Sequence, residues 1–492
     1  MTTLGIAAGF HDAAMTVIDD HGDIAFAAHS ERYSKRKNDA QLHPGLLAEC
    51  CDWNFDTVAF YERPWMHNVQ QWISGQREFG PWTTRGALRQ HLGDWYQRPA
   101  RRQVSYQHHL SHAAAGFQTS PFDRATVVVI DAIGELDTVS IWKAAYDRQG
   151  RARYEKVWAQ GYPHSIGLFY SAVTGRVGLR PLDEEYILMG MAAYGTDAVT
   201  DRLRGDFVKD AWSVRFRENL HAGITDYAPD ANEFDLARGA QTVAEELIRN
   251  VMMRARALDW SSNLVYMGGV ALNCSANRLL GHYFDRIWIM PCPGDAGSSL
   301  GAAALAYGRR VNWQDAFLGH NIPGEYPVQA LLHELETHQI VGVASGRAEF
   351  GPRALGNRSL LADPRGPDIK DRVNDIKRRQ KFRPFAPVIL EELCSDYFDM
   401  PRGWDHSRYM QVVADCRLPD LFPAIVHADG SSRVQCVPAD GSGIRRLLEA
   451  WFERTGCPML LNTSLNIRGE PMLNDRADAD RFEHEYGVRV CS

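Results

Sequence analysis

The sequence predicts an α/β protein of two domains, the first of them internally duplicated. Three observations carry that prediction. Residues 3–29 read as strand, loop, strand, turn, strand, and residues 126–159 repeat the plan, for which a structural duplication is the economical explanation. After each repeat, strands alternate with helical patterns, as in sheets covered by helices. Turn formers then gather at Asn321-Ile322-Pro323-Gly324-Glu325-Tyr326-Pro327, which divides the chain into 1–325 and 335–492.

In the first repeat, strands at 3–9, 14–18 and 23–29 are joined by the loop Phe10-His11-Asp12 and the turn Asp20-His21-Gly22. In the second, a strand at 126–131 ends in Asp131, the polar loop Ile133-Gly134-Glu135 follows, and strands at 138–144 and 153–159 flank the turn Asp147-Arg148-Gln149-Gly150. The turn residues sit where tight reversals need them. A helix at 242–257 gathers Val243, Leu247, Ile248, Val251 and Met252 on one face. The strand at 263–267 runs into Gly268-Gly269-Val270-Ala271-Leu272-Asn273, where paired glycines let a backbone approach a ligand closely. After the strand at 286–290, Gly294-Asp295-Ala296-Gly297 opens an alanine-rich helix at 298–307, whose first N–H groups suit phosphate. Two such halves, each with a small or acidic loop facing the other, suit a fold that clasps ATP in a cleft. That is the architecture of sugar kinases, actin and the heat-shock ATPases.

Between the halves lies Tyr106-Gln107-His108-His109-Leu110-Ser111-His112-Ala113-Ala114. Four residues apart on a helix, His108 and His112 project from one face and can share a cation. Histidine pairs at this spacing also occur on ordinary amphipathic helices. Asp131 at a strand end and Asp295 in a glycine loop supply the carboxylates that a divalent ion would add, and a mixed N/O set admits iron, manganese or zinc.

In the second domain the strand at 340–344 empties into Gly346-Arg347-Ala348-Glu349-Phe350-Gly351-Pro352-Arg353-Ala354-Leu355-Gly356-Asn357-Arg358-Ser359. Three arginines with glycines in one loop make a forked cradle for anionic oxygens. A helix at 368–379 ends in Lys377, Arg378 and Arg379, followed by Lys381 and Arg383; part of that charge complements the helix dipole. The strand at 458–461 ends in Asn462-Thr463-Ser464-Leu465-Asn466, a polar group at a strand tip where ligands of α/β domains sit.

Composition excludes several classes. With 492 residues, 45% apolar and 23% charged, the chain is expected to be a soluble globular protein. It has no apolar run long enough for a bilayer and no charged-then-apolar leader at Met1, so no membrane partner and a cytoplasmic location are expected. The nine cysteines show no ligand or redox spacing and read as reduced thiols. A net charge of -7 argues against broad polyanion binding. A local exception lies between Trp82 and Gln103, where Arg85, Arg89, Arg98, Arg101 and Arg102 interleave with Trp82, Trp95 and Tyr96. It reads either as a nucleic-acid patch or as a solvated helix face with a basic turn at Arg98-Pro99.

Together these segments resemble the O-carbamoyltransferases of antibiotic and nodulation-factor biosynthesis, the family of the tobramycin carbamoyltransferase. The likeness runs nearly end to end: Gly9-Phe10-His11-Asp12-Ala13, Ser30-Glu31-Arg32, the histidine motif at 108–114, Leu188-Met189-Gly190-Met191-Ala192-Ala193-Tyr194-Gly195, 268–273, 294–297, 349–359, 382–387, 461–466 and Gly469-Glu470-Pro471. It implies a first domain like the transferase that makes threonylcarbamoyl-adenosine in tRNA, and a second like YrdC. The YrdC-like domain would form carbamoyl-adenylate from carbamoyl phosphate and ATP, with Mg accompanying the ATP. The first domain would pass the carbamoyl group to an acceptor hydroxyl. By motif position His108, His112, Asp131 and Asp295 would hold a metal, which the family suggests is iron, acting as a Lewis acid. His11, beside Asp12, would be the general base. Arg353 and Arg383 would grip phosphates with help from Lys37. Gly268, Gly269 and Asn273 would line the adenosine pocket, and Asn462, Ser464 and Asn466 would serve the second domain, where capping a strand end is an equal reading.

The chain departs from the family at Ala132, where glycine is usual, at Tyr186-Ile187, where glycine and lysine are usual, and in its shorter length. Acceptor identity therefore does not carry over. A natural-product or sugar hydroxyl and a hydroxymethyl pyrimidine, free or in DNA, remain the alternatives, and the oligomeric state is left open, a homodimer included. The substitutions keep a second reading in view, a nucleotide-binding regulatory or assembly protein without transfer activity. A sugar kinase, the third, gives the arginine-rich second domain no role.

Overall fold

The computed structural model describes residues 1–492 except Ser74, Gln76, Glu78, Arg98, Pro99, His406 and the side chain of Gln97. The basic turn expected at Arg98-Pro99 thus lies outside the described residues. The chain divides into two compact α/β units, Met1–Ser34 with Asn38–Asp315, and Lys35–Lys37 with Ala316–Ser492.

In the first unit β1 (Thr3–Ala7), β2 (Ala14–Ile18), β3 (Ile24–His29), β4 (Thr57–Phe60) and β5 (Arg102–Ser105) form a sheet in the order β3-β2-β1-β4-β5. Its first three strands are antiparallel neighbours, and β1, β4 and β5 run parallel. β6 (Arg124–Gly134), β7 (Asp137–Tyr146) and β8 (Ala152–Gly161) precede a small hairpin of β9 (Val208–Asp210) and β10 (Arg215–Phe216). With β11 (Asn263–Met267) and β12 (Arg286–Trp288) they make a second sheet, β12-β11-β6-β7-β8. Its pairings have the same senses: β6-β7 and β7-β8 antiparallel, β6-β11 and β11-β12 parallel. Read outward from β1 and from β6, the two sheets share one topology, the duplication expected from the repeated plan.

The last helix of each half covers the other half's sheet. His108–Thr119, which follows β5, packs on β6, β7 and β11, while Gly297–Tyr307, which follows β12, packs on β1, β2 and β4. The two helices also pack on each other, closely enough that a Cβ on Gly301 would lie 1.8 Å from the Ser111 carbonyl oxygen. Only glycine fits there. Exchange of these helices brings their N-terminal ends, and the side chains they carry, to one point.

The second unit is built on a six-stranded mixed sheet, β21-β17-β22-β16-β14-β23. Its strands are β14 (Ile340–Ala344), β16 (Arg358–Ala362), β17 (Ala386–Leu390), β21 (Gln435–Val437), β22 (Met459–Ser464) and β23 (Val490–Cys491). β13 (Phe317–Ile322) pairs with β15 (Gly346–Glu349), and β18 (Phe398–Asp399), β19 (Val413–Cys416) and β20 (Ser431–Arg433) form a side sheet. Val341, Leu360, Val388, Leu447, Leu448 and Leu460 are enclosed in its core, each such burial being worth about 1.5–3 kcal/mol.

Several boundaries differ from expectation. The domain boundary lies before Ala316 rather than at 321–327, because β13 is tied into the second unit by its pairing with β15 and Tyr326 donates to the Gly356 carbonyl at 2.8 Å. The helix expected at 242–257 begins at Glu233, where Asn232 caps the Phe234 N–H; the sequence hid this turn because Gly239 breaks the apolar face in order to pass Thr200 and Leu203. The polar loop 133–135 is a tight hairpin between β6 and β7 with Glu135 at φ 59°. β22 continues through Asn462 and Thr463 to Ser464, so Asn462 is an interior ladder residue opposite Leu361 and Ala386. Among the described residues no helix is long and apolar enough to cross a membrane.

Candidate metal centre and anion site

The exchanged helices meet at a buried cluster of His108, His112, Asp131 and Asp295, whose ligand atoms all lie within 4.8 Å of one another. The histidines come from the first two turns of His108–Thr119, Asp131 from within β6, which runs three residues past the strand end expected there, and Asp295 from the loop before Gly297–Tyr307. His108 Nε2 lies 3.0 Å from His112 Nε2 and 3.2 Å from Asp295 Oδ1. His112 Nε2 lies 3.0 Å from Asp131 Oδ2 and 3.2 Å from Asp295 Oδ1. Three segments distant in sequence thus bring four residues together, each turning one nitrogen or oxygen toward a common centre.

Asp131 is aimed by its surroundings. Its Oδ1 accepts the N–H groups of Ala132 at 2.8 Å and Gly269 at 3.2 Å, leaving Oδ2 for the histidines. Gly268, at φ 92°, passes so near β6 that a Cβ would lie 2.2 Å from the Ile130 carbonyl oxygen. Both glycines of the pair therefore pack against the strand that carries Asp131. The Asn273 side chain accepts the Ala276 N–H and exchanges hydrogen bonds with Gln241.

Electrostatically the cluster is suited to a cation. Burial alone would raise the Asp131 carboxyl, but hydrogen bonds from His108 and His112 carry it well below the usual range. Asp295 is likewise lowered, by the charges of His108 and His11 against burial. Burial opposes protonation of His108 and His112, yet the facing carboxylates raise both. Two carboxylates enclosed together need compensating positive charge, and a divalent ion on this N/O set would replace the protons the imidazoles otherwise hold. The donor set fits the metal expected from the sequence.

His11 stands at the edge of the cluster. Its Nδ1 lies 3.0 Å from Asp12 Oδ2 and its Nε2 3.6 Å from Asp295 Oδ2. Burial lowers this imidazole, but Asp295 and then Asp12 outweigh that and push it up to about 9. Gly9 at φ 111° and Asp12 at φ 53° shape the loop, and backbone bonds to Ala40 and Asp39 hold it.

In the second unit the expected cradle resolves differently. Arg347 donates to the carbonyls of Leu318 and Gly319. Arg358 is fully enclosed and donates to those of His320, Ser345, Gly346, Asn357 and Asn474. Both arginines organise backbone, because carbonyls left inside by irregular loops need donors. Arg358→Leu should therefore lower unfolding free energy by roughly 3–5 kcal/mol, read from denaturant melts, since several buried carbonyls lose their donor together. Arg353 is half-buried in the same loop.

Cations gather instead around Lys377, which the sequence places in a helix-end charge pile. The ammonium is buried and hydrogen-bonds to the Ser464 carbonyl, the Ser464 hydroxyl at 3.3 Å and the Asn466 side-chain oxygen. Burial first, then the charges of Arg379, Arg383 and Lys37, hold its pKa well below the ordinary lysine value. Ser464 and Asn466 thus hold a residue that local charge patterning gave no reason to single out, and the charges of Lys37 and Arg383 act on it. Asn462 points elsewhere, donating to Gln435 and to the Ala354 carbonyl. An anion bound beside these four basic groups would offset their mutual repulsion and favour the protonated form of Lys377.

The arginine-aromatic stretch is split by the fold. Arg85, Arg89, Arg101 and Arg102 are exposed with Trp82, while Trp95 and Tyr96 are half-buried; Arg85 donates to the Tyr96 hydroxyl at 3.0 Å. Arg98 lies outside the described residues.

Comparison with known proteins agrees with this two-part arrangement. Residues 55–304 match the family described as Carbamoyltransferase N-terminus, and 332–491 that described as Carbamoyltransferase C-terminus. The chain is 31% identical to Nodulation protein NolO of Bradyrhizobium diazoefficiens over 76% of its own length and 75% of that protein. It is 28% identical to Nodulation protein NolNO of Sinorhizobium fredii over 95% and 76% respectively. A protein of Synechocystis, sll1178, is 32% identical over 97% and 93%. Among solved structures, HypF of T. kodakarensis superposes with a TM-score of 0.38 at 13% identity, over 62% of this chain and 47% of that one. The activator of 2-hydroxyisocaproyl-CoA dehydratase from Clostridium difficile gives 0.36 at 16%, over 62% and 94%. Superpositions that loose leave the fold to rest on its strand order. The sequence matches are decisive by their reach over both units, and they establish that the chain belongs to the carbamoyltransferase family and is a transferase.

Proposed function

We propose that this carbamoyltransferase is ATP-dependent and divides its chemistry between its two units. The supporting observation is the separation of site types, with Lys377 buried on the oxygens of Ser464 and Asn466 and subject to the charges of Arg379, Arg383 and Lys37 in one unit, and a buried N/O cluster in the other. Carbamoyl phosphate and water give carbamate and phosphate; a carbamate oxygen attacks the α-phosphorus of ATP, and pyrophosphate leaves. Lys377, Arg383 and Lys37, with Arg353, neutralise the phosphate oxygens during this exchange.

In the first unit an acceptor hydroxyl attacks the carbamoyl carbon of the adenylate, the C–O bond to AMP breaks, and the proton departs to a base. His11 would take that proton in its neutral form, which a cation held on Asp295 would favour by offsetting the carboxylate charge that otherwise pushes the imidazole up, and Asp12 orients its ring. A divalent metal, iron by family resemblance and with manganese or zinc as alternatives, would be held by His108, His112, Asp131 and Asp295 and would supply Lewis acidity. Gly268 and Gly269, which pack on the strand carrying Asp131, would with Asn273 shape the adenosine approach.

The acceptor is a hydroxyl of a small molecule or nucleoside. Incubation with carbamoyl phosphate, ATP and Mg should yield AMP and pyrophosphate rather than ADP, and mass spectrometry of a hydroxyl panel should show one added carbamoyl group. ADP as the nucleotide product would overturn the adenylate route. If hydroxymethylated DNA is the acceptor, engaged through Arg85, Arg89, Arg101 and Arg102, its binding falls steeply with added salt.

A further inference from the structure

We infer that Glu62 is a positioning residue that locks His108 as a metal ligand through Nε2. The inference rests on the metal reading above. For His108 to ligate through Nε2, the atom it turns toward His112, Asp295 and Asp131, its ring proton must sit on Nδ1. That Nδ1 is enclosed and makes no hydrogen bond in the structure. Glu62 Oε2 lies 3.8 Å from it, and a shift of about 1 Å brings the pair into hydrogen-bond range. On the other side of the same carboxylate, Oε1 lies 3.6 Å from His67 Nδ1, which braces it. The glutamate side chain is only 11% exposed, so it cannot turn its charge freely to water.

Glu62 occupies a telling place in the duplicated fold. It follows β4, which in the other half corresponds to β11, followed by Gly268 and Gly269. One strand end therefore carries glycines that support Asp131, and its counterpart carries a carboxylate that supports His108. A carboxylate behind a ligating imidazole fixes its tautomer, aims its lone pair and raises its basicity.

The test titrates the full-length protein with Co²⁺ against a competing chelator and records the absorption of the bound ion. Wild type should bind one Co²⁺. E62A should bind about 10–100-fold more weakly, with an altered spectrum. E62Q keeps an acceptor oxygen but loses the charge-assisted bond, so its affinity should fall only about threefold. Wild-type affinity and spectrum in E62A overturn the inference and leave the metal site standing; absence of Co²⁺ binding by wild type overturns both. Should E62A fail to fold, E62Q decides, and unchanged affinity there overturns the inference.

Discussion

Lys377→Met should abolish pyrophosphate release from carbamoyl phosphate and ATP, with a fall of at least about 10²–10³-fold, because the group removed is the buried amine that, protonated beside a bound anion, would stabilise the phosphate oxygens. Methionine keeps much of the stem's volume and apolar contact, so the fold should survive. It leaves the Ser464 and Asn466 oxygens without their donor. The measurement is pyrophosphate release at saturating substrates, with circular dichroism as the check on folding. Wild-type release would remove Lys377 from the anion site and return it to the helix-end role its sequence position suggests.

The second large effect belongs to the other unit. His112→Ala should cost roughly two to three orders of magnitude in metal affinity, since four ligands share a binding free energy of order 10–16 kcal/mol. Transfer to the acceptor should fall with it, while pyrophosphate release by the second unit persists. His112 is the sharper choice because it is fully enclosed and faces both Asp131 and Asp295. Metal content after dialysis and the yield of carbamoylated acceptor together read the outcome. Loss of pyrophosphate release in parallel with transfer would mean that the two half-reactions are not divided as proposed.

The residues that resisted sequence reading did so for identifiable reasons. Arg347, Arg353 and Arg358 look alike in one glycine-rich loop, yet two of them serve backbone carbonyls whose positions depend on strands distant in sequence. Asn462 looked like the tip of a strand because the apolar run stops before it, but the ladder with β16 and β17 continues past it. Lys377 was visible, and its charge had a sufficient local explanation in the helix dipole. Glu62 carried no signal at all, being a single acid after a short strand.

By itself the sequence determined the α/β class, the duplicated plan and the family-wide motifs, and it singled out His108, His112, Asp131 and Asp295, which the fold brings together. Those features are written in local terms: alternation of apolar residues, turn chemistry, and the four-residue spacing of His108 and His112. Only the tertiary structure decided that the two halves exchange their last helices, that Asp131 and Asp295 reach the same point as the histidine pair, and that Arg358 serves backbone carbonyls while Lys377 is buried against Ser464 and Asn466. Those outcomes depend on pairing between segments far apart in the chain. A residue's neighbours across a sheet or between crossing helices are set by the whole fold, not by the residues on either side of it.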